Sequence, residues 1–280
     1  MKTTLAKTLL LVTTFLPFAA NAETLPAADT PAAPAAAATA VAEPVTPAPI
    51  PASQLPLTEP VMRLDKEGTP LKFVMDRHDA FLKRGKENPI GILFLGDSIT
   101  QNWSYGAQGE IWKKHYAPHN AANFGLGGDG TQGVLWRIAN GELDNLVTPP
   151  KIIILLIGIN NGSRPGVADG IKKIVAQIRE KLPQSKVLLL GIFPTMNKEG
   201  LIPHRLRDYD AAVNKEIATL DDGKTIRYLD IGQKFLDTEG KISKELMPDG
   251  LHPAAPGYQI WADAMQPLLD EMLSPPSPEN

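Results

Sequence analysis

The chain has 280 residues, a formal net charge of −3, 26 prolines and no cysteine. The missing thiols exclude disulfides, thiolate metal sites and a cysteine nucleophile together. A mildly acidic balance without any basic run argues against a nucleic-acid partner.

Lys2 and Lys7 bracket a short basic start, Leu9 to Ala20 is apolar apart from two threonines, and Ala20-Asn21-Ala22 offers a small-residue cleavage pattern. This reads as a secretory signal peptide over residues 1–22, cut after Ala22, and implies export to a periplasmic or extracellular space. The apolar run is short for a membrane span and broken by Pro17, and no later segment reaches transmembrane length. Cleavage removes two lysines and takes the formal charge from −3 to −5. From Glu23 to Pro60 the composition falls to Ala and Pro with scattered Thr, which reads as a solvated linker that cannot bury enough apolar surface to fold. No cysteine follows the signal, so a bacterial lipid anchor is excluded.

Residues 61–280 suit one α/β domain by length. Helical spacing over Leu71–Lys86 precedes a first strand at Gly91–Leu95. A short helix at Ile111–Tyr116, stopped before Pro118, leads to a second strand at Ala121–Phe124, and a helix is expected over Thr131–Leu143. The clearest strand is the Ile-rich Lys151–Ile157, followed by a helix at Val167–Leu182 and a strand at Lys186–Ile192. Arg205–Leu220 reads as a helix, Thr225–Ile231 as the fifth strand and Ala255–Leu273 as the closing helix. Strands alternating with helices imply a parallel sheet covered on both faces. The expected architecture is three-layer α/β/α, with five parallel strands in the flavodoxin-like order 2-1-3-4-5 and a switch point beside strand one.

The stretch around that switch point is Ile92-Leu93-Phe94-Leu95-Gly96-Asp97-Ser98, a buried apolar strand ending abruptly in small and polar residues. Ser98 is a candidate nucleophile, although Gly-Asp-Ser taken alone is ordinary turn chemistry. Past strand two comes Asn123-Phe124-Gly125-Leu126-Gly127-Gly128-Asp129-Gly130. No Gly-Lys-Ser/Thr follows, so a P-loop fails, and the near match to a dinucleotide fingerprint sits after the wrong strand. A tight structural turn is the plain alternative. Gly158-Ile159-Asn160-Asn161-Gly162 ends the strongest strand, where an asparagine amide can donate to a developing oxyanion or simply form a bend. Asp249-Gly250-Leu251-His252 precedes the last helix, and an acid three residues ahead of a histidine can orient its imidazole. His115 and His119 share an i,i+4 spacing, but Pro118 breaks the helix and no third ligand is apparent, so they read as surface residues. Trp136 and Trp261 read as packing residues, and His204 as a candidate for the rim of the Phe193–His204 loop.

In this order and at successive strand ends, the blocks resemble those of the SGNH hydrolases, also called GDSL esterases. They read here as Gly96-Asp97-Ser98, Gly125 to Asp129, Gly158-x-Asn160 and Asp249-x-x-His252. The branch containing the catalytic subunits of intracellular platelet-activating-factor acetylhydrolase is the more similar one, through Asn123–Asp129, Val134-Leu135-Trp136-Arg137 and Asn140-Gly141-Glu142-Leu143. The resemblance runs from roughly Lys72 to Leu273. It implies Ser98 as nucleophile, His252 as general base and Asp249 as the residue holding the ring. It implies an oxyanion hole from the Ser98 N–H, the Gly128 N–H and the Asn160 side chain, with Asp97 and Asp129 fixing loops. Two positions depart from the pattern: Asn161, where relatives often carry Asp, and Gly130, where a bulkier residue is common.

The expectation is therefore an exported serine esterase acting on short-chain esters, acetyl above all, of a small molecule or glycan, with no metal and no cofactor. Its rivals are a lysophospholipase or thioesterase with a longer acyl pocket, a non-catalytic module binding acylated glycan, and an acyltransferase.

Overall fold

The computed structural model describes residues 54–196 and 204–274. The expected signal peptide, the linker up to residue 53 and part of the loop before residue 204 lie outside the described residues. Five parallel strands form one sheet, β1 (Ile92–Gly96), β2 (Ala122–Gly125), β3 (Ile152–Leu156), β4 (Lys186–Leu190) and β5 (Ile226–Leu229), in the order β2-β1-β3-β4-β5. The helices are α1 (Lys72–Glu87), α2 (Ser98–Gln101), α3 (Gln108–His115), α4 (Thr131–Ala139), α5 (Val167–Lys181), α6 (His204–Ile217) and α7 (Ala255–Leu273). The expected fold class and strand order are those observed.

Every residue of β1 and β3 is buried, so both strands need apolar side chains on both faces. The two-residue alternation of the pleat sorts those side chains into separate cores. Leu93, Leu95, Ile153 and Leu155 pack with Val74 and Phe81 of α1, Val134 and Ile138 of α4, and Ile171, Ile174 and Ile178 of α5. Ile92, Phe94, Ile152 and Ile154 face the opposite layer, where Trp103 and Tyr116 meet Tyr258, Trp261 and Met265 of α7. That second core is aromatic: the Trp103 ring lies 4.4 Å from Tyr258 and 5.1 Å from Trp261, centroid to centroid.

Three local features depart from the expected elements. α4 stops at Ala139 rather than continuing to Leu143, because Gly141 takes a φ of +94° and turns the chain back. The turn returns Glu142, 1% exposed, to an ion pair with the equally buried Arg137 of α4. A second feature is α2, a four-residue helix that no periodicity announced. Finally, within the stretch whose composition reads as linker, Leu57 is 2% exposed against the first core, and its carbonyl accepts the Thr131 hydroxyl at 3.0 Å.

Glycine at the ends of β1 and β2 lets α2 sit directly over the sheet. A methyl group at Gly96 would meet the Leu156 carbonyl oxygen at 2.4 Å, and one at Gly125 would meet the Gln101 backbone nitrogen at 2.2 Å. Backbone cannot yield as a flexible side chain can. Gly125→Ala is therefore expected to cost about 3 kcal/mol or more of unfolding free energy, towards the upper end for an overpacked site. Urea unfolding of the two proteins side by side measures it.

Candidate active site

Asp97 turns the chain from β1 into α2 and caps the helix, its Oδ1 accepting the Ile99 N–H at 2.9 Å. Ser98 is thereby the first helical residue, whose own N–H has no intrahelical acceptor. On the same residue, the Ile99 carbonyl accepts the Tyr258 hydroxyl of α7 at 2.6 Å. The serine thus sits on a short helix held through both backbone groups of the residue that follows it.

Ser98 Oγ lies 2.8 Å from His252 Nε2, and His252 Nδ1 lies 2.7 Å from Asp249 Oδ2. The other Asp249 oxygen accepts the backbone N–H groups of Leu251 and His252 at 2.9 and 2.7 Å. A carboxylate at Nδ1 takes the ring N–H there, so Nε2 is left as the lone-pair nitrogen that accepts the serine hydroxyl. Burial works against ionisation of Asp249, but the hydrogen bonds from the His252 ring and the two backbone groups outweigh it and hold the carboxyl below its ordinary range. The turn itself is anchored by the Met196 N–H, which donates to the Gly250 carbonyl at 2.9 Å.

The glycine loop passes alongside, and a Cβ at Gly127 would lie 3.8 Å from Ser98 Cβ. Its backbone groups can be accounted for one by one. The Leu126 N–H donates to the Gly96 carbonyl at 3.0 Å and the Gly127 N–H to Gln101 Oε1 at 2.7 Å. Its carbonyls at Phe124, Gly125 and Gly127 accept from Arg137 Nη1, Arg77 Nε and Arg63 Nη1 at 3.2, 2.6 and 2.6 Å. Gly128 adopts a φ of +77°, and among the described residues its N–H meets no acceptor. Arg137 also holds Asp129 Oδ2 at 2.9 Å, so the loop rests on a buried ion pair.

At the end of β3, Gly158 turns at a φ of +131° and delivers Asn160, whose Nδ2 donates to the Asp129 carbonyl at 2.8 Å. One amide hydrogen is fixed in that bond and the second is free to point into the cleft that Asn160 and Gly128 both line. That cleft, about 890 Å³, is walled on its far side by Val61 to Lys66. Asn161 borders the same cleft but is engaged in structure: it is 7% exposed, and its Oδ1 accepts the Thr131 N–H at 2.9 Å, at the start of α4. A Cβ at Gly130 would lie 2.6 Å from Asn161 Nδ2, so the two unusual positions in the sequence are one packed pair.

Ser98, His252 and Asp249 are thus joined in one hydrogen-bonded line; the glycine loop meets Ser98 at Gly127, and Gly128 and Asn160 line a cleft beside Arg63. His115 lies apart, its Nδ1 3.3 Å from Gln266 Oε1, and Trp261 is fully buried. Among the described residues no group of three or more His, Asp or Glu side chains is placed to hold a metal. Arg63, Arg77 and Gln101 carried no signal in the sequence, and Arg137 stood there only as part of a block resembling the GDSL esterases, with no role assigned. The signal that could have found it is its charge among the buried Val134, Leu135 and Ile138 of α4.

A family model described as GDSL-like lipase/acylhydrolase matches residues 94–260. The chain belongs to that family. As a GDSL-like acylhydrolase it is an ester hydrolase. It is 37% identical over 203 residues to human platelet-activating factor acetylhydrolase IB subunit alpha1, covering 71% of this chain and 84% of that protein. It is also 37% identical over 202 residues to the rat IB subunit alpha2, with the same coverage. Among solved structures it shares its fold with a GDSL-like lipase from Bacteroides thetaiotaomicron, at a TM-score of 0.57 and 17% identity over 72% of this chain and all of that one. Among the described residues, no helix of this GDSL-like acylhydrolase is long and apolar enough to cross a membrane.

The capping carboxyl carries a pH signature. Burial raises Asp97 to about 7, the neighbouring Asp129 adding to the shift and the Ile99 N–H opposing it. An acid whose folded pKa lies above its unfolded value favours the fold while protonated, so its contribution is complete below about pH 4 and is lost as pH rises through about 7. Asp97→Asn keeps an oxygen acceptor for Ile99 and removes the titration. Its stability relative to wild type should therefore improve between pH 5 and pH 8, by at most about 3 kcal/mol. Urea unfolding of both proteins across that range reads the difference.

Proposed function

We propose that this acylhydrolase is a serine esterase in which Ser98 is the nucleophile, His252 its general base and Asp249 the residue that holds the imidazole. The observation that carries this reading is the continuous hydrogen-bonded line from Ser98 Oγ through His252 to Asp249 beside a backbone N–H left without an acceptor. Ser98 Oγ adds to the ester carbonyl carbon as His252 Nε2 takes its proton. The carbonyl oxygen becomes an oxyanion, received by the N–H groups of Ser98 and Gly128 and the Asn160 amide. The C–O bond to the alcohol then breaks, His252 returns the proton to the departing oxygen, and water repeats the sequence on the acyl-serine.

The acyl group is read as acetyl, supported by the acetylhydrolase subunits with which the chain shares 37% identity. On the alcohol side we read a platelet-activating-factor-type ester ahead of an acetylated glycan, a reading supported by the names of those subunits. Residues 1–22 are read as a cleaved signal and the following Pro/Ala-rich stretch as a tether, so the enzyme works after export, with its mature chain starting at Glu23. Mass spectrometry of protein from the exported fraction tests that start.

Ser98→Ala is expected to abolish turnover of p-nitrophenyl acetate while circular dichroism stays that of wild type. Retained activity would overturn the nucleophile assignment. Across a chain-length series, acetyl should exceed octanoyl by a wide margin, and a rate climbing with length would favour the lysophospholipase alternative. The adjacent asparagines give the sharper contrast. Asn160→Ala should lower kcat by about 10²–10³-fold with little change in KM, as loss of an oxyanion donor does. Asn161→Ala should leave kcat far less affected and instead lower the thermal midpoint, since its side chain holds the start of α4.

A further inference from the structure

Arg63 lies before the region that the family model covers, in a segment whose composition announces no chemistry. The chain nevertheless fixes it at many points. The Val61 N–H donates to the Gln132 carbonyl at 3.1 Å, the Arg63 carbonyl accepts the Leu71 N–H at 3.0 Å, and Asp65 Oδ1 closes the turn by accepting the N–H groups of Glu67 and Thr69. The guanidinium carbon lies 5.1 Å from the centre of the Phe73 ring, which limits its swing.

From that seat Arg63 Nη1 donates to the Gly127 carbonyl at 2.6 Å and reaches Asp129 Oδ1 at 3.3 Å. The Gly127 carbonyl and the Gly128 N–H belong to one planar trans peptide, in which the C=O and N–H bonds point in opposite directions. Holding the oxygen towards Arg63 therefore aims the Gly128 N–H away from it. Gly128, at a φ of +77°, lacks the side chain that would otherwise restrict such a peptide to few orientations. A hydrogen bond from a cation to the oxygen also polarises the amide and strengthens its N–H as a donor. Contact is close: a Cβ on Gly128 would fall 2.7 Å from Arg63 Nη2.

We infer that Arg63 is a positioning residue for ester hydrolysis, orienting and polarising the 127–128 peptide so that the Gly128 N–H is preset for the oxyanion. It touches no reacting atom and acts through the peptide. The inference rests on the oxyanion hole proposed above, and it brings into the machinery a stretch of chain outside the shared motifs.

The test uses neutral p-nitrophenyl acetate, so that recognition of a substrate anion plays no part. Arg63→Met is expected to lower kcat by about 10–100-fold with KM within twofold, less than the loss of a whole donor. Inhibition by a trifluoromethyl ketone, whose carbonyl Ser98 Oγ converts to a tetrahedral oxyanion, should weaken by the same factor as kcat/KM falls. Arg63→Lys, which keeps the cation and loses the fork, should lie between Met and wild type. Thr131→Val, which frees the Leu57 carbonyl and so loosens the same segment, should lower the thermal midpoint without this kinetic pattern. Wild-type kcat in Arg63→Met, or an equal loss in Thr131→Val at matched stability, overturns the inference. Loss in Asn160→Ala with none in Arg63→Met refutes Arg63 alone, whereas wild-type kcat in both refutes the oxyanion hole itself. Should Arg63→Met not fold, Arg63→Lys decides: a threefold or greater loss of kcat supports the role and wild-type kcat refutes it.

Discussion

The site depends on how the protein satisfies the outward carbonyls of the glycine loop. A run of glycines has little conformational preference of its own and could present its peptides in many directions. Arg63 removes that freedom within the loop by binding the Gly127 oxygen, while Arg77 and Arg137 bind the Gly125 and Phe124 oxygens at the end of β2 from which the loop departs. Arg137 does so from full burial, which would be prohibitive for a lone charge, and it is neutralised there by Asp129 and Glu142. The early end of α4 follows from the same demand, since Glu142 must come back to meet it. Rigidity at the loop is thus obtained by charge pairing beneath it.

The serine side is held by different means. α2 is too short to be stable as a helix and exists because Asp97 caps it, Tyr258 binds its second residue and glycines at two strand ends make room below. Asp249 likewise fixes the His252 turn through backbone bonds before it touches the ring. In both places one carboxylate shapes the backbone and sits beside the chemistry. The environments differ: Asp97 is sealed in and resists ionisation, and Asp249 is partly open with donors on both oxygens.

Much of this was legible in the chain itself. The run Ile152–Leu156 could only be a buried strand, the apolar spacing of α5 marks its inward face, and strand–helix alternation led to the observed strand order. Ser98 and Asn160 lie at the ends of apolar strands and Asp249 and His252 just before the last helix; each block alone is ordinary turn chemistry, and their order and resemblance to the GDSL esterases gave them their roles. What stayed hidden was long-range. Arg63 meets its carbonyl partner 64 positions away, a pairing that no local periodicity encodes. α2 spans barely one turn and offers no pattern to read. The Gly130 and Asn161 departures looked separate because their complementarity is steric and appears only when α4 and the end of β3 are brought together.

The wide spacing of the site has a consequence for how the chain acquires it. Ser98 and His252 are 154 positions apart, with four strands of the sheet between them in the chain. Contacts between such distant residues form late and slowly in parallel sheets. A partly folded chain therefore holds a serine with no base beside it and is chemically inert. Competence arrives only with that long-range contact, which makes the appearance of turnover during refolding a readout of its formation.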